Sequence, residues 1–126
     1  MSQLILHLIG DYLLQSDWMA LNKTKCHKAA FAHALTYSIP FLLLQPSLEA
    51  WLVIFITHFF IDRYRLAKYV GLIRSRLAPP CRWPKWADCC ETGYHKDIPP
   101  HLSTWLLIIS DNTLHLTINF LALSFL

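Results

Sequence analysis

An all-α integral membrane bundle of four helices is the fold class that this sequence predicts, and three observations predict it. The 126 residues are 55% hydrophobic and only 15% charged, with a mean hydropathy of +0.35, too apolar for an ordinary soluble domain of this size. All eleven Lys and Arg fall within 23–28 and 63–96, so that 1–22, 29–62 and 97–126 hold none. Four apolar segments occupy those uncharged stretches, at about 3–15, 29–44, 48–61 and 102–126.

The first segment is not a secretory leader: it lacks a basic start and a small-residue cleavage site, and it contains His7 and Asp11. Pro40 and the Gln45-Pro46-Ser47 turn punctuate the second and third, which reads as a tight helical hairpin. The first three segments fall short of the roughly 20 residues that cross a bilayer core, and would need interfacial extensions, thinning or a partly re-entrant path. That shortness is the best support for the competing reading, a soluble all-α domain with unusually buried helices. The fourth segment is long enough to cross.

If all four cross, every basic residue lies on one side, which the positive-inside rule makes cytoplasmic. The expected molecule is a single multi-pass domain, 1–126, in a bacterial inner membrane, with both termini outside and a cytoplasmic or interfacial loop at 62–101. A basic footprint for nucleic acid is not expected, because the charges segregate by topology instead of covering one face.

Seven ionisable residues interrupt the apolar segments. His7 and Asp11, His58 and Asp62, and Asp111 and His115 form pairs four residues apart, and His33 stands alone in the second segment. Residues at that spacing share one helix face, and ionisable groups in apolar helices by default face an interior and mark a functional site. In the four-helix topology five of the seven fall at one depth in the cytoplasmic half. Asp111 and His115 lie roughly 14 and 20 Å along the fourth segment at about 1.5 Å per residue.

Imidazole and carboxylate together suit Zn, Mn or Fe better than calcium. Seven candidates exceed one closed site, so the expected cofactor is a pair of divalent ions about 3.5–4 Å apart, activating a water for attack at phosphorus. Asp17 is a candidate helix cap or a carboxylate behind the ligands, and Gln15 and Asn112 are candidate polar supports. Purely structural His–Asp hydrogen bonding is the bland alternative, and it would leave several buried charges without compensation. A proton or ion carrier would need polar groups through the full depth, yet Tyr37, Ser38 and Asn119 are the main ones in the outer half.

In the 62–101 stretch, Leu66, Tyr69, Val70, Ile73 and Leu77 repeat at helical spacing among Arg63, Arg65, Lys68, Arg74 and Arg76, as in an amphipathic helix on an anionic membrane. Trp83 and Trp86, alternating with Arg82 and Lys85, fit the headgroup region. Arg63, Arg65, Arg74 and Arg76 are the candidate substrate-binding residues, the first two adjoining Asp62. Cys26, Cys81, Cys89 and Cys90 are expected to be reduced thiols. Cys81, Cys89, Cys90, His95 and His101 lack the CxxC spacing of a zinc knuckle. No phosphate-cradling glycine loop and no nucleophile motif is present.

The run HLIGDYLLQSDWMALNK from His7 to Lys23, the histidine of the second segment, HFFIDRYRLAKY and the C-terminal DNTLHL together resemble a family of small membrane proteins of bacteria and their phages whose function is unknown. The resemblance covers 7–69 and 108–118. It departs in the 70–101 loop and at Asn112, where the family pattern has Gln. More distantly, the pattern is similar to membrane-bound metal-dependent hydrolases and to the helical zinc phospholipase C and nuclease group. That similarity implies ligand roles for His7, Asp11, His33, His58, Asp62, Asp111 and His115 and identifies no substrate.

The function expected is a membrane-embedded metal-dependent hydrolase of a lipid or lipid-linked phosphoester at the cytoplasmic leaflet. The alternative is a non-enzymatic, metal- or His/Asp-stabilised membrane protein, phage-encoded and modulating a host membrane process. Membrane lipids are the expected partners, with a second copy of the chain or a host membrane protein as further candidates.

Overall fold

The computed structural model describes residues 2–126, and among them the fold is entirely helical, with seven α-helices and no strand. The chain resolves into two compact units. One comprises the chain up to Arg65 together with His115–Leu126; the other is Leu66–Leu114.

In the first unit, α1 (Ser2–Leu8) runs directly into a π-helical turn, Ile9–Leu13. Such wide turns are rare and gather at functional sites. Gly10 sits inside this one because a Cβ there would lie 2.8 Å from the backbone oxygen of Tyr37. The short helix α2 (Asp17–Asn22) is capped by Ser16, whose hydroxyl accepts from the Met19 amide at 3.3 Å. Helix α3 (His27–Ser38) tightens into a 3-10 turn, Ile39–Leu44, at Pro40, which has no N–H to continue the ladder.

Gln45, at φ 49°, turns the chain, and Ser47 caps α4 (Leu48–Tyr64) by accepting from the Ala50 amide at 3.0 Å. This is the expected hairpin. Trp51 Nε1 closes it with a bond to the Ser38 carbonyl at 3.0 Å. Ala29, Ala30, Ala34 and Ala50 are buried, so α3 and α4 approach closely and make the most extensive helix pairing. Leu6, Tyr37, Phe41, Ala50, Ile54 and Ala122 form the core below the site. Phe41 and Ile54 have no accessible surface, and each fully buried side chain of this size contributes about 1.5–3 kcal/mol.

The second unit contains α5 (Ala67–Ser75), a 3-10 turn at Pro80–Arg82, the short α6 (Trp86–Cys89) and the first part of α7 (Pro100–Phe125). Gly93, at φ +81°, lets the chain pass against α5, since a Cβ would stand 2.0 Å from the Lys68 carbonyl oxygen. Arg74 donates to the Tyr94 hydroxyl, and its guanidinium lies 5.1 Å from that ring.

The four-span membrane bundle is not what forms. Among the described residues only α7, with 26 residues, is long and apolar enough to cross a membrane. The first segment is a seven-residue α-helix plus a five-residue π turn, the second breaks into 3-10 geometry after Ser38, and α4 has 17 residues. Without four crossings, the N-out, C-out and multi-pass assignments lose their basis. The expected 62–101 loop is itself structured: α4 continues to Tyr64, and α5 and α6 follow. All four cysteines are free thiols, and none joins a cluster with metal-ligand spacing among the described residues.

Candidate metal centre

Three elements of the first unit bring four side chains together. The π turn carries Asp11, α3 carries His33, and α4 carries His58 and Asp62 one turn apart. One donor atom from each lies within 4.8 Å of the other three, and all four residues are buried. Lys23, just after α2, joins them: its Nζ stands 2.7 Å from Asp62 Oδ2, 3.2 Å from His33 Nε2 and 3.9 Å from Asp11 Oδ1.

Hydrogen bonding alone does not explain the arrangement. His33 Nε2 lies 3.0 Å from His58 Nε2, 3.0 Å from Asp62 Oδ2 and 3.1 Å from Asp11 Oδ1, yet an imidazole nitrogen serves one hydrogen bond at a time. Asp62 Oδ2 is buried and meets no surrounding donor in hydrogen-bond geometry, despite the nearby ammonium.

Converging donors of this kind fit an ion. Held at about 2.0–2.2 Å, neighbouring ligands stand about 3.0 Å apart at right angles and about 3.4 Å apart at tetrahedral angles. From His58 Nε2, Asp62 stands at 3.3 Å, near the tetrahedral edge, and Asp11 farther off at 3.8 Å.

Asp62 faces two ways. Its other oxygen, Oδ1, lies 3.2 Å from His115 Nε2, and His115 Nδ1 is 3.2 Å from His58 Nδ1. His7 is not in the four-residue group. Its Nδ1 shares a 2.8 Å hydrogen bond with the Tyr37 hydroxyl, which accepts from Asn119 Nδ2 at 2.6 Å, while His7 Nε2 faces Asp11 Oδ2 at 3.9 Å. Tyr37 also lies flat on His58, with ring centroids 3.5 Å apart and planes 11° from parallel. Asp111, half-buried one turn before His115 on α7, belongs to the other compact unit.

Buried charge sets the protonation pattern. Burial alone would raise the Asp11 pKa, but the His33 hydrogen bond and the nearby His58 and Lys23 charges hold it down at about 2. Burial likewise opposes ionisation of Asp62, and the surrounding histidines overcome it, keeping that carboxyl well below its ordinary value. His58 is pushed down to about 3, chiefly by burial, so it is neutral and ready to ligate. For His33, burial favours the neutral ring, yet the hydrogen bond to Asp11 and the adjacent Asp62 carboxylate outweigh it and raise the pKa. The raised His33 pKa and the nearby Lys23 ammonium both respond to the two buried carboxylates, in the place a divalent cation would take.

Three of the four arginines have partners within the fold. Arg63 donates through Nη1 to the Thr24 carbonyl at 2.6 Å and through Nε to His27 Nδ1 at 3.3 Å. Arg65 is the left-handed residue that ends α4, at φ 50°. Arg74 and Arg76 lie in the second unit, against Tyr94 and over the Trp83 ring respectively. Asp17 is exposed at the start of α2, where Ser16 supplies the cap. The Gln15 side-chain oxygen is buried, and Asn112 Nδ2 donates to the Ile108 carbonyl.

Sequence reading missed Lys23, Tyr37 and Asn119. Two of them had a signal. Tyr37 follows His33 by four residues and Asn119 follows His115 by four, the same one-face spacing that marked the other pairs.

The chain belongs to the DUF3307 family, described as a protein of unknown function, whose pattern matches residues 1–125. That full-length match bears out the resemblance to a family without an assigned activity. No curated protein and no solved structure matches the chain.

Proposed function

We propose that this member of a family of unknown function is a metal-dependent hydrolase of a phosphoester, working at a lipid surface. The convergence of Asp11, His33, His58 and Asp62 at ligand spacing carries the reading. A bound divalent ion of the Zn, Mn or Fe type would supply Lewis-acid polarisation of a phosphoryl oxygen and would lower the pKa of a nearby water.

The chain's own residues do the rest. Asp11 and Asp62 remain ionised and anchor positive charge, and His58 offers a neutral nitrogen held in place by the Tyr37 ring. His7, Tyr37 and Asn119 fix the back of the site through their hydrogen bonds. Asp62 Oδ1 and His115 favour two ions over one.

Lipid contact is supported by the surface. Ile73 is 70% and Leu77 86% exposed on and just after α5, beside basic residues, and α7 carries exposed Trp105, Ile109 and Phe120. Exposed apolar area of this extent marks an interaction surface. On this reading the substrate is reached from a membrane surface.

A second reading rests on closure. None of the four ligand residues is more than 6% exposed, as in a structural metal site that holds helices together. Purified full-length protein loaded with zinc or manganese, assayed on bis(p-nitrophenyl) phosphate and on phospholipid vesicles, separates the two. Hydrolysis lost on chelation and in His33→Ala supports the enzyme. A protein stabilised by metal but inert on every phosphoester supports the structural site.

A further inference from the structure

The π turn has two sides. Its inner side brings Asp11 to His33, while Leu13 and Leu14, two and three residues on, stand on the outside. Helix α2 continues that outer side. Met19 packs inward, its sulfur accepting from the Thr36 hydroxyl at 3.9 Å, which leaves Trp18 and Leu21, three residues apart, on the open face. Leu13 is 76% exposed, Leu21 70% and Trp18 52%.

Charge decides what covers this corner. Lys25 and Lys28 follow it directly, both exposed, and neither has a carboxylate partner among the described residues. Arg65 is exposed at the same end of the unit, where Arg63 holds the Thr24 carbonyl. Asp17 is the one exposed acid between residues 12 and 28. The exposed apolar stripe of Leu48, Leu52 and Ile56 on α4, in contrast, carries no base. Aliphatic and indole side chains bounded by unpaired ammonium groups match the interface of an anionic bilayer, which takes apolar groups beneath the headgroups and bases at the phosphates.

We propose that the corner formed by the π turn and α2 enters the headgroup interface of an anionic bilayer. Leu13, Trp18 and Leu21 lie among the upper acyl chains, and Lys25 and Lys28 meet the lipid phosphates. Asp11 is two residues from Leu13, so the metal cluster stands roughly one helical turn from the headgroup layer. The phosphoester it meets is then a phospholipid's. The docking needs no metal; the substrate class rests on the metal-dependent reading above.

Full-length protein is floated, first without metal, with vesicles of phosphatidylglycerol and phosphatidylcholine and with phosphatidylcholine alone. Leu13→Ser with Leu21→Ser should weaken binding to the anionic vesicles by about a hundredfold or more. Lys25→Gln with Lys28→Gln should weaken it by about thirtyfold at low salt, less as salt rises, and leave binding to phosphatidylcholine alone unchanged. Dibrominated lipid should quench the Trp18 share of the fluorescence, taken as wild type less Trp18→Phe. Wild type loaded with Mn²⁺ should then broaden the ³¹P signal of the headgroups.

If α7 alone keeps the variants on the vesicles, Trp18 decides: quenching supports the docking, and an unquenched Trp18 overturns it. A wild type that sediments as a dimer without vesicles, and a leucine variant that sediments as a monomer, give the corner to a second copy and also overturn it. Manganese uptake with no effect on headgroup phosphorus overturns the phospholipid assignment. Docking without manganese uptake supports the corner and removes the metal-dependent reading, a result distinct from the others.

Discussion

Asp62 has one oxygen toward His33, His58 and Lys23 and the other toward His115, so its substitution separates charge from shape. Asp62→Asn keeps the volume and removes the anion on which those contacts converge. Metal affinity should fall by at least tenfold to a hundredfold, the range seen even for groups behind the ligands, as read by competition with a chromophoric chelator. Unaltered affinity would place the metal elsewhere.

Protonation gives a second test at this scale. Because the His33 pKa is raised, its proton persists near neutral pH and must leave when Nε2 takes a metal; Asp11, Asp62 and His58 have none to give there. Calorimetric titration near pH 6.5 should therefore show protons released as the ion binds, and affinity should decline as pH falls further. Enthalpies independent of the buffer's ionisation heat would count against a ligand role for His33.

Among the elements, the π turn at Ile9–Leu13 is the one the site most depends on, because it points Asp11 at His33. Gly10→Ala would press a methyl group against Tyr37, and overpacking of this kind costs about 1–3 kcal/mol. Thermal denaturation should show that loss, together with weakened metal uptake. A variant as stable as wild type would mean that the turn relaxes without cost.

The turn itself was not legible in the sequence. Apolar runs do not distinguish i→i+5 from i→i+4 pairing, so 3–15 reads as one helix. The hairpin was legible, since Pro40 and the Gln45-Pro46-Ser47 turn have local consequences. So were His58, Asp62 and Asp11, because a four-residue spacing survives whatever the helices pack against, and His33, as a lone ionisable residue in an apolar segment. Lys23 was not: its charge was absorbed into a topology signal, and only the tertiary fold folds it back over Asp62.

For the whole molecule, apolar composition was mistaken for four crossings. The same residues instead leave an extensive apolar surface on short helices, and among the described residues α7 alone is long and apolar enough to cross. If that surface meets lipid, Ile73→Ser with Leu77→Ser should weaken flotation with anionic vesicles by about a hundredfold or more, given about 1.5–3 kcal/mol for each buried aliphatic side chain, with bound metal unchanged. These positions test lipid contact better than Arg74 and Arg76, whose guanidinium groups already pack on Tyr94 and Trp83. Retained flotation would assign the exposed stripe another partner.

Elemental analysis of the full chain, purified without chelator, bears most directly on whether the Asp/His cluster is a metal centre. One or two divalent ions per chain in wild type, and a marked loss in Asp62→Asn and His33→Ala, is the expected result. Metal below about half an ion per chain in wild type, with no uptake on adding zinc or manganese, would contradict it.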